Sequence, residues 1–87
     1  LKTQNPRVYY NFGVLLQQRQ LPREAEKQYL AGLRIAATDV DINYALCVLY
    51  LQENQPQKAI QYAQVLKQHY PTDQRFVPLY QQLGLKN

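Results

Sequence analysis

The sequence predicts an all-α fold of two antiparallel helical hairpins followed by a capping helix, and three observations carry that prediction. The chain repeats itself, without a gap, at a spacing of 34 residues. Tyr10/Tyr44, Val14/Val48, Leu15/Leu49, Gln18/Gln52, Pro22/Pro56, Ala25/Ala59, Thr38/Thr72 and Asp39/Asp73 are identical pairs at that spacing, and Val8/Ile42 and Phe12/Leu46 are conservative ones. Helix punctuation keeps the same period: Asn5, Asp39 and Asp73 are all residue types whose side-chain oxygen accepts from an orphaned first-turn N–H. Between these marks apolar residues recur at helical spacing.

Each element follows from that punctuation. Pro6, directly after Asn5, suits a first helical position, where its missing N–H removes no hydrogen bond, so α1 is expected over 6–19. A proline within a helix costs about 3 kcal/mol, so Pro22 and Pro56 are better placed opening new helices. That gives α2 over 22–36 and α4 over 56–69, stopped by Pro71. Asp39 opens α3 over 40–53. A fifth helix is expected over 74–83, capped by Gly84, with Pro78 either kinking it or delaying its start. The expected core-facing stripes are Val8, Phe12, Leu15 and Leu16 in α1, Ile42, Leu46, Leu49 and Tyr50 in α3, and Ala59, Ile60, Ala63 and Leu66 in α4. Short turns after Arg19 and Glu53 make each pair antiparallel.

Length and composition limit the functional classes. At 87 residues the chain suits one domain with a thin core, in which a deep enzymatic pocket is not expected. The domain is expected to span 1–87, with repeats at 6–39 and 40–73 and a capping helix and tail at 74–87. Because it opens at Leu1, without a methionine, it reads as a piece of a longer polypeptide. A composition of 46% hydrophobic and 18% charged residues is that of a globular chain. No apolar run approaches the roughly 18 residues of a membrane span, so no membrane insertion is expected. The net charge of +4 is spread along the chain, whereas a nucleic-acid surface would gather it into a stripe or block; no nucleic-acid partner is expected. Glutamine richness and low lysine content lean towards a soluble or exported bacterial protein, cytoplasmic or periplasmic, without fixing a compartment.

A 34-residue helix–turn–helix period resembles the tetratricopeptide repeat (TPR) family. The family's pattern of aromatic, aliphatic, small and large residues falls on Tyr9, Phe12, Gly13 and Leu16, then on Ala25, Tyr29 and Gly32 in the second helix. In the second repeat the same places hold Asn43, Leu46, Cys47, Tyr50, Ala59, Ala63 and Leu66, and the closing proline is Pro71. The chain departs from the pattern at Ala37 (in place of a proline), Asn43 (an aromatic) and Glu26 (an aliphatic residue). Repeat one carries large then small residues (Tyr29, Gly32) and repeat two small then large (Ala63, Leu66), which reads as a compensating exchange of volume.

The resemblance implies a short right-handed solenoid whose odd-numbered helices line a concave face that binds a partner peptide or protein segment. The inward positions would then be Arg7, Tyr10, Asn11, Val14, Gln17 and Gln18 in α1, and Asp41, Tyr44, Ala45, Val48, Leu51 and Gln52 in α3. Arg75, Leu79 and Gln82 would follow in the last helix. Tyr10, Val14 and Gln18 share one helix face, and Tyr44, Val48 and Gln52 copy them, giving a doubled ladder of phenol, aliphatic side chain and amide. Tyrosines offer a partner apolar area with a hydroxyl, and glutamines bond to its backbone. The alternative is that Val14 and Val48 only pack between neighbouring helices. Tyr10 and Val14 stand where chaperone-tail-binding members carry a Lys and Asn clamp, so that specialisation is not expected.

No catalytic, cofactor or metal site is expected. His69 suits the end of a helix, where its charge meets the dipole, and Cys47 replaces a small packing residue. There is no Cys–His pair and no glycine-rich phosphate loop. The competing class is a structural scaffold or self-associating unit, a homodimer included, with Leu1, Leu79, Leu83 or Leu85 meeting a second copy or a neighbouring domain.

Overall fold

A computed structural model describes residues 2–85, in which five helices and no strands are found. They are α1 (Pro6–Gln18), α2 (Pro22–Ile35), α3 (Val40–Gln52), α4 (Pro56–His69) and α5 (Val77–Gln82). The first four match the expected spans to within a residue, because the caps act as expected. Asn5 accepts from the Arg7 N–H at 2.9 Å and Asp39 from the Ile42 N–H at 3.0 Å. Pro6, Pro22 and Pro56 each open a helix, where their lack of an N–H costs nothing.

Helices α1, α3 and α5 end in the same hydrogen-bonded turn. After α1, the Leu21 N–H returns to the Leu16 carbonyl (2.9 Å) and the Gln20 N–H to the Gln17 carbonyl (2.9 Å). Gln55 to Tyr50 (2.8 Å) and Asn54 to Leu51 (3.0 Å) repeat this after α3, and Leu85 to Tyr80 (2.8 Å) and Gly84 to Gln81 (3.1 Å) after α5. The turn requires a left-handed residue, and Gln20 (φ 61°), Asn54 (φ 58°) and Gly84 (φ 73°) supply it. Glycine adopts that conformation without steric cost, whereas glutamine pays roughly 1–2 kcal/mol.

The fifth helix is shorter than the span expected over 74–83. Asp73 caps a tight turn instead of a helix, its side chain accepting from the Arg75 N–H at 2.9 Å and its carbonyl from Phe76 and Val77, each at 3.0 Å. Regular helix begins at Val77, which leaves Pro78 in the first turn, where no acceptor needs its N–H.

α1 packs along α2 and α3 along α4; α2 also meets α3, and α5 lies on α4. α3 is therefore the central helix, and it buries Ile42, Asn43, Leu46, Cys47, Leu49 and Tyr50. An apolar surface on nearly every side suits a helix covered by two neighbours. Asn43 is the polar exception, and its amide donates to the carbonyls of Ala37 (3.1 Å) and Asp39 (2.8 Å), tying the inter-hairpin linker to α3.

The volume exchange between repeats is visible atom by atom. A Cβ on Gly13 would lie 2.3 Å from the Tyr29 ring, so Tyr29 fills the space that residue 13 leaves empty. In the second hairpin the equivalent pair is Cys47 and Ala63, both fully buried. The stripe expected in α1 is corrected: its buried residues are Tyr9 and Gly13, whereas Val8 and Leu15 are exposed. In α4, Ala59, Ala63 and Leu66 are buried and Ile60 is half-buried.

Gly13→Ala is expected to destabilise the chain by about 1–3 kcal/mol, the usual range for overpacking. In a Tyr29→Leu background the added methyl has room, and the further loss on Gly13→Ala should shrink to a few tenths of that. Paired denaturant titrations of the four variants measure this coupling.

Candidate functional site: a groove between α3 and α5

Arg7, Asp41 and Arg75 occupy one register position in successive copies, and their charges alternate. Arg7 Nη1 meets Asp41 Oδ2 at 2.6 Å, which links the starts of α1 and α3. This pair holds the Arg7 guanidinium above its ordinary pKa, chiefly through the Asp41 hydrogen bond. Tyr10 and Tyr44 each lie one turn further along their helices from the linked pair. Their surroundings differ. The Arg7 guanidinium sits 4.5 Å from the centre of the Tyr10 ring, which leans on Tyr29 at a centroid distance of 6.3 Å. Val14 is half-buried against the core, and Gln17 accepts from the Tyr29 hydroxyl. Asn11 and Gln18 are exposed.

In the second copy the same register opens onto a groove. Tyr44, Val48, Leu51, Gln52, Arg75, Pro78, Leu79 and Gln82 line a cavity of about 380 Å³ between α3 and α5. Tyr44 is exposed and its ring leans, tilted, on buried Phe76 at a centroid distance of 5.2 Å, and the Arg75 guanidinium lies 4.7 Å from the Phe76 ring. Arg75 is fixed by Asp73, to which Nε and Nη2 donate at 3.0 and 2.7 Å. That bond holds the Asp73 carboxyl below, and the Arg75 guanidinium above, its ordinary pKa. The groove thus has an apolar floor with two amides and a clamped cation around it, suited to a side chain and the adjoining backbone of a peptide.

Of the residues expected on the inner wall, Tyr44, Val48, Leu51, Gln52 and Arg75 come together here, with Leu79 and Gln82. Gln17 and Gln52 line a second hollow of about 390 Å³ with Gln20, Pro22, Leu49 and Glu53. Arg7, Tyr10, Asn11, Val14 and Gln18 line neither. Asp41 lies outside the groove, paired to Arg7. Sequence reasoning missed Pro78 in the lining and Phe76 as the support of Tyr44, although the 34-residue register aligns them with Tyr44 and Ile42. Of the residues expected in self-association, Leu79 is buried, Leu83 and Leu85 are half-buried, and Leu1 lies outside the described residues.

Other reactive groups are committed to structure. The Cys47 thiol is buried and donates to the Ala59 carbonyl at 3.5 Å, and desolvation pushes its pKa up to about 12. Among the described residues no group of three His, Cys, Asp or Glu side chains could hold a metal ion, and no helix is long and apolar enough to cross a membrane.

The fold defines the class of protein as all-helical and built from short hairpins. No protein-family profile, curated protein or solved structure matches the chain.

Cys47 is expected to react with a thiol reagent at neutral pH only as fast as the chain unfolds, and immediately in denaturant; fast labelling of the folded chain would place it at the surface. Alkali should also weaken the fold. Burial raises Cys47 from 9.0 and Tyr29 from 10.0, each to about 12. Because the folded values exceed the unfolded ones, this stability is complete below about pH 9 and is lost as pH climbs towards 12. Denaturation midpoints measured between pH 8 and 11 test the sign.

Proposed function

We propose that the chain is a protein–protein interaction module of the TPR kind, taking a short segment of a partner into the groove between α3 and α5. This reading uses the hairpins as a short right-handed solenoid with α1, α3 and α5 along its inner wall. The observation that carries it is the convergence of Tyr44, Val48, Leu51 and Leu79 with Gln52, Gln82 and Arg75 on one open cavity.

The physical argument is one of differential cost. Tyr44 already leans on Phe76, so its ring loses little freedom when a partner covers it. Arg75 is likewise held by Asp73 before anything binds. Preorganised side chains lower the entropy lost on association, which otherwise costs about 0.5–1.5 kcal/mol for each immobilised side chain. Gln52 and Gln82 are exposed and can bond the backbone of an extended segment. In α1, by contrast, Tyr10 and Val14 lean on their own hairpin and support the wall more than they present it.

Peptides of about ten residues selected from a random library against the folded chain supply the test. Val48→Glu or Tyr44→Ala is expected to weaken the selected peptides at least tenfold, equivalent to roughly 1.4 kcal/mol, while Lys58→Ala leaves them unchanged. Selected peptides that tolerate both groove variants would place binding elsewhere.

A further inference from the structure

The outer face of α1 is an apolar surface that the groove does not absorb, and the internal repeat indicates what belongs on it. Three register positions recur in each copy: Val8, Ile42 and Phe76; Phe12, Leu46 and Tyr80; Leu15, Leu49 and Leu83. In α3 they are sealed, with Ile42 and Leu46 at 0% and Leu49 at 2% exposure, and near α5 Phe76 is at 4% and Tyr80 at 3%. In α1 two of these positions stand open, Val8 at 38% and Leu15 at 43%, and Phe12 is half-buried. The difference lies in the neighbour. α2 precedes and meets α3, and α4 precedes and meets α5. The apolar residues of α1 are those of a helix that receives such a neighbour.

We propose that this face is a docking site for an amphipathic helix lying N-terminal to α1 in the same polypeptide, packed on α1 as α2 packs on α3. The commitment to the same polypeptide rests on both internal cases, in which the covering helix is the one immediately before. In a second copy the faces of α2 and α4 that cover a following helix are already occupied, by α3 and α5.

The register also fixes the chemistry of the incoming helix. At the α2–α3 seam Arg23 of the first turn pairs with Glu53. The position of Glu53 in α1 is Arg19, exposed and without a salt bridge among the described residues. The incoming helix therefore carries an acidic residue where α2 has Arg23, a placement that also suits the positive end of its own dipole. Glu26 accepts from the Tyr50 hydroxyl at 2.6 Å, and the position of Tyr50 in α1 is Leu16, so an apolar residue replaces Glu26. Opposite Val8 stands a small residue, as Gly32 stands opposite Ile42.

The inference depends on the seam between α2 and α3 and not on the groove, so the two fail separately. The test extends the chain by replacing residues 1–5 with a copy of residues 22–39 bearing R23E and E26L, so that the copied Asp39 takes the place of Asn5 before Pro6. The extension is expected to raise the thermal midpoint by about 5 °C or more and to protect α1 amides from exchange. The same extension with Arg23 retained should gain less, and Leu15→Asp in α1 should abolish the gain. In the unextended chain Leu15→Asp should move the midpoint by under about 2 °C, which separates loss of docking from loss of folding. An extension that leaves the midpoint and α1 protection unchanged overturns the proposal. So does an unextended chain that sediments as a dimer and is made monomeric by Leu15→Asp, since a second copy then occupies the face.

Discussion

The molecule depends on the place where Ile42 of α3 fits against the bare backbone of Gly32 in α2. A Cβ at residue 32 would lie 2.6 Å from Ile42 Cδ1 and 3.3 Å from the Cβ of Tyr9. Three helices meet there at a distance only glycine permits, and the isoleucine occupies the volume glycine leaves. This contact sets α3 against the first hairpin and makes it the central helix. Fully burying an aliphatic side chain such as Ile42 or Leu46 contributes about 1.5–3 kcal/mol, so a few residues along this seam decide whether the hairpins form one body.

At the other end of the seam the contact is polar. Glu26 accepts from the Tyr50 hydroxyl at 2.6 Å and from Arg23 at 2.6 Å, and Arg23 also reaches Glu53. This explains an acidic residue at a position where the family resemblance leads one to expect an aliphatic one: the partner at the seam is a phenol, and it needs an acceptor. Burial and the Glu26 hydrogen bond both push the Tyr50 phenol well above its ordinary pKa. With one end of the seam closed by shape and the other by a directed network, the register between hairpins is fixed. α5 lies on α4 in turn, and the groove opens between α3 and α5.

Helix positions were legible because their boundaries are written in short-range chemistry. Asn5, Asp39 and the three helix-opening prolines act on their own backbone neighbourhood, which the sequence specifies directly. The faces were less legible. Val8 and Leu15 have the spacing of core residues, but burial requires a covering helix, and periodicity alone does not say whether one is there. The doubled ladder was legible as identity and not as environment: Tyr10 and Tyr44 are the same residue in the same register, yet one leans on Tyr29 and the other on Phe76. That difference arises from the partner at residue 29, a tyrosine in one copy and, at residue 63, an alanine in the other. The left-handed turns at Gln20 and Asn54 escaped notice because neither residue is a glycine.

The most direct test of the account is a nuclear Overhauser spectrum of the folded chain. It should show a strong cross-peak between the Ile42 δ1 methyl and the Gly32 α protons, since the two groups touch across the seam. A well-dispersed, folded spectrum without that cross-peak would mean that the hairpins do not meet as described, and neither the central placement of α3 nor the groove beside it would stand.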